Sequence, residues 1–355
     1  MQIKAGKCVV IALATLAAFP ARAAEVPTAS ELLDKYAQAL DSLRSRIVRA
    51  EITSEHEYGF AYNWHEPGFR GLRDKGKSYK RTEFRTDGQR MHSREYTWGH
   101  ISRMDPSVSE DQPFYYCLNY ANKQLYRHSA QTAPTARGLV IVRESPDFRI
   151  RGMDRILTGY AIQSDERLDV ILHRAESISV RSETESIGGV DCYVIDAKTD
   201  SGRISVWIDP AHGYHLAKAQ ARATQGDLYW GKPLSRGQQV NSRIEIVRFD
   251  KVDGIWVPME ADVSMEDHHG PASFSMAKRH YKRTEVVVNP DHGALGSFDN
   301  PLENPKNDPV LRNGTKVRIT ADGDVRRYIW QDGKLAPDES RSGGRSNSGK
   351  SGRRR

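Results

Sequence analysis

Apolar residues recur at helical spacing only near the start of the chain and at two short places further on. Leu32, Leu33, Tyr36, Ala37, Leu40 and Leu43 share one face of a helix over residues 28–46, and Thr28 with Glu31 forms a capping box at its start. Leu168, Ile171, Leu172 and Ala175 predict a second helix over residues 164–175, and residues 153–160 a shorter one. Elsewhere the pattern is one of short strand-like runs, such as Ile204-Ser205-Val206-Trp207-Ile208, Ile244 to Phe249, Ile255-Trp256-Val257 and Thr284 to Val288. Five Asp-Gly or Asn-Gly pairs, at Asp87, Asp253, Asn313, Asp322 and Asp332, fall between or beside such runs, where left-handed backbone angles favour tight hairpins. The pattern predicts one large, mainly β domain built of successive antiparallel hairpins over residues 24–338.

The two ends read differently. Met1 to Lys7 is short and cationic, Cys8 to Phe19 is apolar, and Ala21-Arg22-Ala23 supplies a small-x-small cleavage pattern. This predicts an export signal over residues 1–23, cleaved after Ala23, because a dozen apolar residues are too few to span a bilayer as a helix. Residues 339–355 are Ser, Gly and Arg with almost nothing apolar, so they predict a disordered basic tail. These ends change the meaning of the charge. The whole chain has 53 Lys+Arg against 46 Asp+Glu, a formal +7, which by itself suggests nucleic acid. Three of those bases lie in the signal and six in residues 341–355, leaving 44 bases against 46 acids between them, a net of −2. A nucleic-acid partner is therefore not expected, and an anionic membrane surface concerns only the tail.

Catalytic and metal motifs fail on context. Gly71 to Ser78 and Gly344 to Ser351 both fit the phosphate-loop pattern, but neither lies between a buried strand and a helix. His56-Glu57 and His65-Glu66 lack the second histidine that would put two zinc ligands on one helical face, and His268-His269 stands beside Gly270-Pro271 as a turn. There is no Gly-x-Ser-x-Gly elbow and no CxxC pair. The sequence thus predicts no cofactor, no metal and no enzyme activity, although a hydrolase site assembled from distant residues needs no local motif. Cys117 and Cys192 remain after signal removal; a disulfide between them and two free buried thiols are both compatible with an exported chain.

Several segments together resemble one family. The helix from Thr28 to Leu43, the run Gly189-Val190-Asp191-Cys192-Tyr193-Val194-Ile195, the hairpin Val206-Trp207-Ile208-Asp209-Pro210-Ala211-His212-Gly213-Tyr214, the pair Phe249-Asp250-Lys251-Val252-Asp253-Gly254-Ile255-Trp256-Val257-Pro258 and the closing Asn313-Gly314-Thr315-Lys316-Val317 are similar to segments of the LolA/LolB-like outer-membrane lipoprotein carrier superfamily. The resemblance implies a strongly curved antiparallel sheet, a half-open barrel covered by helices, and a periplasmic protein whose concave face takes acyl chains. This chain departs from the compact carriers in length, including the aromatic stretch Phe114 to Leu118 and the end segment from Thr320 to Pro337. On such a sheet, Phe84, Trp98, Tyr116, Leu118, Val206, Ile208, Val257 and Val263 would line the concave surface, while Trp207 and Trp256 would point the other way. The favoured function is an exported, non-enzymatic carrier or binding protein for a hydrophobic ligand, lipid or an acylated protein. The alternatives are an envelope sensor or adaptor acting through a protein interface on the same fold, and an exported hydrolase with a dispersed site.

Overall fold

The computed structural model describes residues 26–60, 72–100, 108–133, 138–146, 154–159, 164, 166–269 and 273–338. The predicted export signal and basic tail lie outside them. Helix α1 (Ala29–Ser42) opens the domain with the expected box: Thr28 N–H donates to Glu31 Oε2 at 2.8 Å, and Glu31 N–H donates to Thr28 Oγ1 at 3.3 Å. It stops short of Arg46 because the β-branched Ile47 and Val48 are drawn into the sheet, where long-range pairing outweighs helical spacing.

Six strands follow: β1 (Arg46–Phe60), β2 (Leu72–Thr86), β3 (Met91–Gly99), β4 (Phe114–Ala121), β5 (Gln124–Gln131) and β6 (Leu139–Glu144). Two short helices come next, α2 (Asp154–Leu157) and α3 (Leu168–His173), where residues 153–160 and 164–175 predicted them. Then come β7 (Ser177–Val180), β8 (Glu185–Ile187), β9 (Val190–Thr199), β10 (Gly202–Asp209) and β11 (His215–Ala223). A minimal hairpin, β12 (Leu228–Tyr229) with β13 (Lys232–Pro233), leads to the long strands β14 (Gln238–Val252), β15 (Ile255–His269) and β16 (Ser273–Val288). After an irregular segment, residues 289–315, the chain ends in β17 (Lys316–Ala321), β18 (Asp324–Gln331) and β19 (Lys334–Pro337). The turns at Asp253-Gly254, Asp322-Gly323 and Asp332-Gly333 each carry two residues at positive φ, as hairpins between twisted strands require.

Seventeen strands form one sheet. From one edge the pairing runs β19, β18, β17, β6, β5, β4, β3, β2, β1, β16, β15, β14, β11, β10, β9, and β9 is bordered by the broken edge strand β7 and β8. Every pair is antiparallel except β6 with β17, so the sheet is mixed rather than wholly antiparallel. Among the described residues no pairing joins its two edges, so it is not a closed barrel. The parallel joint exists because β17 comes from far along the chain and reaches β6 through residues 289–315, not through a hairpin.

Register assigns the two faces. On one, Ile195, Val206, Ile244, Val263, Tyr281, Ile52, Val48, Phe84 and Leu118 follow one another across β9 to β4. The helices lie on this face: Leu32, Leu33, Tyr36 and Leu40 of α1 and Ile171 and Leu172 of α3 pack on β9 to β11, and Leu157 of α2 packs on Ile52, Ile244, Ala261 and Tyr281. The opposite face is solvated over the central strands, where Arg49–Glu285 and Lys75–Glu57 form cross-strand ion pairs at 2.6 and 2.8 Å. From β4 to β18 that opposite face is buried as well, by residues 289–315, with Tyr115, Tyr126, Val140 and Trp330 beneath Leu302, Val310 and Leu311.

Candidate functional site

Seven of the eight residues expected to share a lining do share the helix-covered face. Phe84, Tyr116 and Leu118 cluster with Met91 and Leu125; Val206 and Ile208 meet α1 and α3; Val257 sits with Leu43 and Val48; Val263 belongs to the group under α2. Trp98 lies on the other face. The pairing Phe84 with Ser93 turns the odd positions of β3 toward the helices, so Trp98 instead stacks on Tyr79 at 5.8 Å with the Arg81 guanidinium over its ring. Trp207 also faces away from the helices, packed with Cys192 and Val194. All but Tyr116 and Trp98 are buried in side-chain clusters. Among the described cavities, only Val263 borders one, a groove of about 440 Å³ whose other walls include Glu55, Arg243, Asp262 and Lys278.

Within the apolar face lies one fully buried charged group. Arg46 of β1 and Arg283 of β16 both reach Asp154 at the start of α2: Arg46 Nη2 is 2.8 Å from Oδ2, and Arg283 Nη2 is 2.5 Å from Oδ1. Arg46 also donates to the Leu43 carbonyl at 2.6 Å and Arg283 to the Pro258 carbonyl at 2.8 Å. Burial opposes charge on Asp154, but Arg283 and Arg46 outweigh it and hold the carboxyl below the usual aspartate range. One carboxylate therefore ties a four-residue helix to two strands. Such a group is costly to break, because loss of the acid leaves two buried cations unpaired. The sequence carried a usable sign of it: Arg46 shares its phase with Val48, Ala50 and Ile52, an apolar row where a charge needs a buried partner.

On the opposite face, a second buried network pins residues 289–315. Tyr126 Oη donates to Asp308 Oδ2 at 2.6 Å, and His128 Nδ1 lies 2.7 Å from the same oxygen. Burial works against the Asp308 charge, yet the bonds from His128 and Tyr126 keep its pKa below the ordinary value. Beside it opens a polar cleft of about 440 Å³ bordered by Arg90, Asn119, Asn122, Gln124, Asp299 and Glu303. The Asn119 amide donates to the Phe298 carbonyl at 3.3 Å, closing the cleft floor.

Cys117 and Cys192 are free and buried, so the two do not form a disulfide. Cys117 lies in β4 and Cys192 in β9, separated across the sheet by eight intervening strands in the pairing order, and no side-chain rotation brings them together. Burial raises both thiols, Cys192 to about 12, which makes them poor nucleophiles. Residues 72–78, part of one phosphate-loop match, are extended within β2 and present no anion cradle.

No family model and no curated protein matches the chain. Several solved structures do. A DUF1329 family protein from Desulfovibrio piger aligns over 75% of this chain and 98% of its own at 15% identity, with a TM-score of 0.30. MucB in complex with MucA(peri) aligns over 74% and 99% at 9% identity, with a TM-score of 0.20. A mutant Rh. blastica porin aligns over 67% and 99% at 10% identity, with a TM-score of 0.18. All three scores lie well under one half, too low to carry an assignment of family or function. Among the described residues, no helix is long and apolar enough to cross a membrane.

Proposed function

We propose that this is an exported, non-enzymatic envelope protein that binds a hydrophobic ligand, a lipid or the acyl chain of an acylated protein. The ligand lies between the helical cover and the apolar face of a sheet curved as a half-open barrel. One observation carries the reading: an apolar face extends across the sheet from Ile195 on β9 to Leu118 on β4, and the helices over it are only 14, 4 and 6 residues long. Short helices packed by side chains can shift as units, and α2 is tied down chiefly through Asp154. Burying each ligand CH₂ under them contributes roughly 0.8 kcal/mol, so part of an acyl chain suffices for affinity without covalent chemistry. Release then follows from displacement of α2, which opens the group around Leu157.

Native mass spectrometry of the mature protein purified from its own envelope tests this directly. A bound lipid, displaced by a fluorescent fatty acid, is the expected result; weaker retention in Val263→Glu, with the fold intact by circular dichroism, ties it to this face. Folded protein that neither carries lipid nor binds the probe overturns the reading. A specific protein captured under those conditions supports the adaptor alternative. Deleting residues 341–355 should reduce binding to anionic vesicles at low salt and leave fatty-acid binding unchanged.

A further inference from the structure

At the far end of β1 to β3, on the helix-covered side of the sheet, three strands bring two imidazoles and a carboxylate together. His56 of β1 pairs with Gly76 of β2, Asp74 lies two residues before that glycine, and His100 follows directly on β3. The His56 and His100 rings are stacked with centroids 5.5 Å apart, and His100 Nε2 is 2.9 Å from Asp74 Oδ1. One donor atom from each residue lies within 4.8 Å of the other two. Two ligand atoms there are unused: the Nε2 of His56, a residue only 9% exposed, and Asp74 Oδ2 have no hydrogen-bond partner. A buried imidazole nitrogen facing a carboxylate and a second imidazole, with nothing to bond to, requires an explanation.

The backbone is shaped for this approach. A Cβ on Gly76 would come within 2.0 Å of the His100 ring and 2.8 Å of the His56 ring, so only glycine leaves room for both. Gly99 sits at φ +91, where a Cβ would meet the Lys77 carbonyl oxygen at 2.5 Å; this bend returns His100 over β2, and its N–H donates to that same carbonyl at 2.9 Å. Two glycines thus serve one convergence of side chains. The His100 and Asp74 side chains keep 29% and 19% of their exposure, so the group has a path from solvent.

We propose that His56, Asp74 and His100 form a binding site for a divalent transition-metal ion of the zinc class. Two imidazoles and one carboxylate suit a borderline ion, whereas magnesium and calcium prefer oxygen donors throughout. The ion takes the place of the hydrogen between His100 and Asp74 and uses the free nitrogen of His56. The donors must contract from their 4.8 Å spread to the roughly 3.3 Å separation set by ligand bonds of about 2.0 Å, a shift that His100 can make from its partly exposed position. Three protein ligands leave a coordination position for water or for a group on a bound partner. The site lies apart from the α2 clasp and does not depend on the hydrophobic-ligand reading.

The test uses tag-free mature protein stripped with a chelator and titrated with Zn²⁺ against a chromophoric competitor, and with Co²⁺ followed by its visible d–d bands. One saturable site is expected, weakened at least tenfold in His56→Gln and in His100→Gln. Gly76→Ala, which removes no ligand, should weaken it too, whereas His268→Gln and deletion of residues 341–355 should not. Should a variant fail to fold, histidine NMR of the unaltered protein decides: of its 12 histidines, His56 and His100 should be the two whose signals move on Zn²⁺ addition. Unchanged affinity in the double histidine variant, movement of other histidines instead, or no saturable binding against the competitor overturns the proposal.

Discussion

Over β9 to β11 the sheet meets its cover mainly through apolar side chains, Leu32, Tyr36, Ile171 and Leu172 against Ile195, Val206 and Leu216. Across β4 to β6 the cover is irregular chain, tied to the sheet by directional bonds at Asp308 and Asn119 and braced internally by the Asn307 amide, which donates to the Gly296 and Asp299 carbonyls. Apolar contact has no preferred direction, so these helices are held by buried area rather than by the geometry of particular bonds. A buried carboxylate bonded to a histidine and a tyrosine has one satisfactory geometry, and displacement leaves all three groups unsatisfied. One half of the sheet therefore holds its cover largely by bond geometry, and the other largely by buried apolar area. The exception on the helical side, the Asp154 clasp, stands where α2 would have to move.

The sharpest way to break the contrast is Asp154→Ala. Two buried guanidinium groups then lack a counter-charge, and the domain should lose about 3–5 kcal/mol in urea unfolding. Asp308→Ala should cost less, about 2–3 kcal/mol, by leaving the Tyr126 hydroxyl and His128 ring without their shared acceptor. Hydrogen exchange should separate the two variants, with faster exchange near α2 in the first and over residues 289–315 in the second. If both loosen the same region, the division of the sheet is wrong.

Acid offers a graded probe of the sheet, acting one pH unit at a time. His92, in β3, is lowered to about 3 by burial and by Arg85 and Arg94, and His215, at the start of β11, to about 4 chiefly by burial. Both rings are neutral in the fold but take a proton in the unfolded chain below about pH 6.5. Their contribution is complete above that pH and declines as pH falls toward the folded values. Stability should drop by about 1.4 kcal/mol per pH unit for each histidine between pH 6.5 and 4. His92→Gln and His215→Gln should each flatten the slope of unfolding free energy against pH by one proton. Smallest of all, Arg49→Ala on the solvated face, whose side chain is 57% exposed, should change stability by no more than about 0.5 kcal/mol.

Much of the fold was legible in the chain. The capping box at Thr28, the hairpin turns at Asp253, Asp322 and Asp332 and the β-rich course after Ser45 all rest on local chemistry, and local chemistry survives folding. Alternation grouped Phe84, Tyr116, Leu118, Val206, Ile208, Val257 and Val263, but it could not phase Trp98, because face assignment passes from strand to strand through registers that no single run specifies. The clusters escaped for the same reason at greater range. His56, Asp74 and His100 have no helical motif since each comes from a different strand, and the Asp154 clasp spans residues 46 to 283. Cross-strand neighbours of this kind have no fixed spacing in sequence.

The place of β1 bears on how the domain is made. Its first neighbour, β2, follows closely, but its second is β16, which sets Arg46 beside Val288. During synthesis, a fifteen-residue strand waits with one row of backbone groups unpaired until more than two hundred further residues arrive. An open edge of that length is a template for pairing with any extended chain, and closing it late makes assembly slow. Arg49, Glu51, Glu55 and Glu57 along its solvated side discourage such pairing, and β1 is the seam at which the early and late halves of the polypeptide are joined.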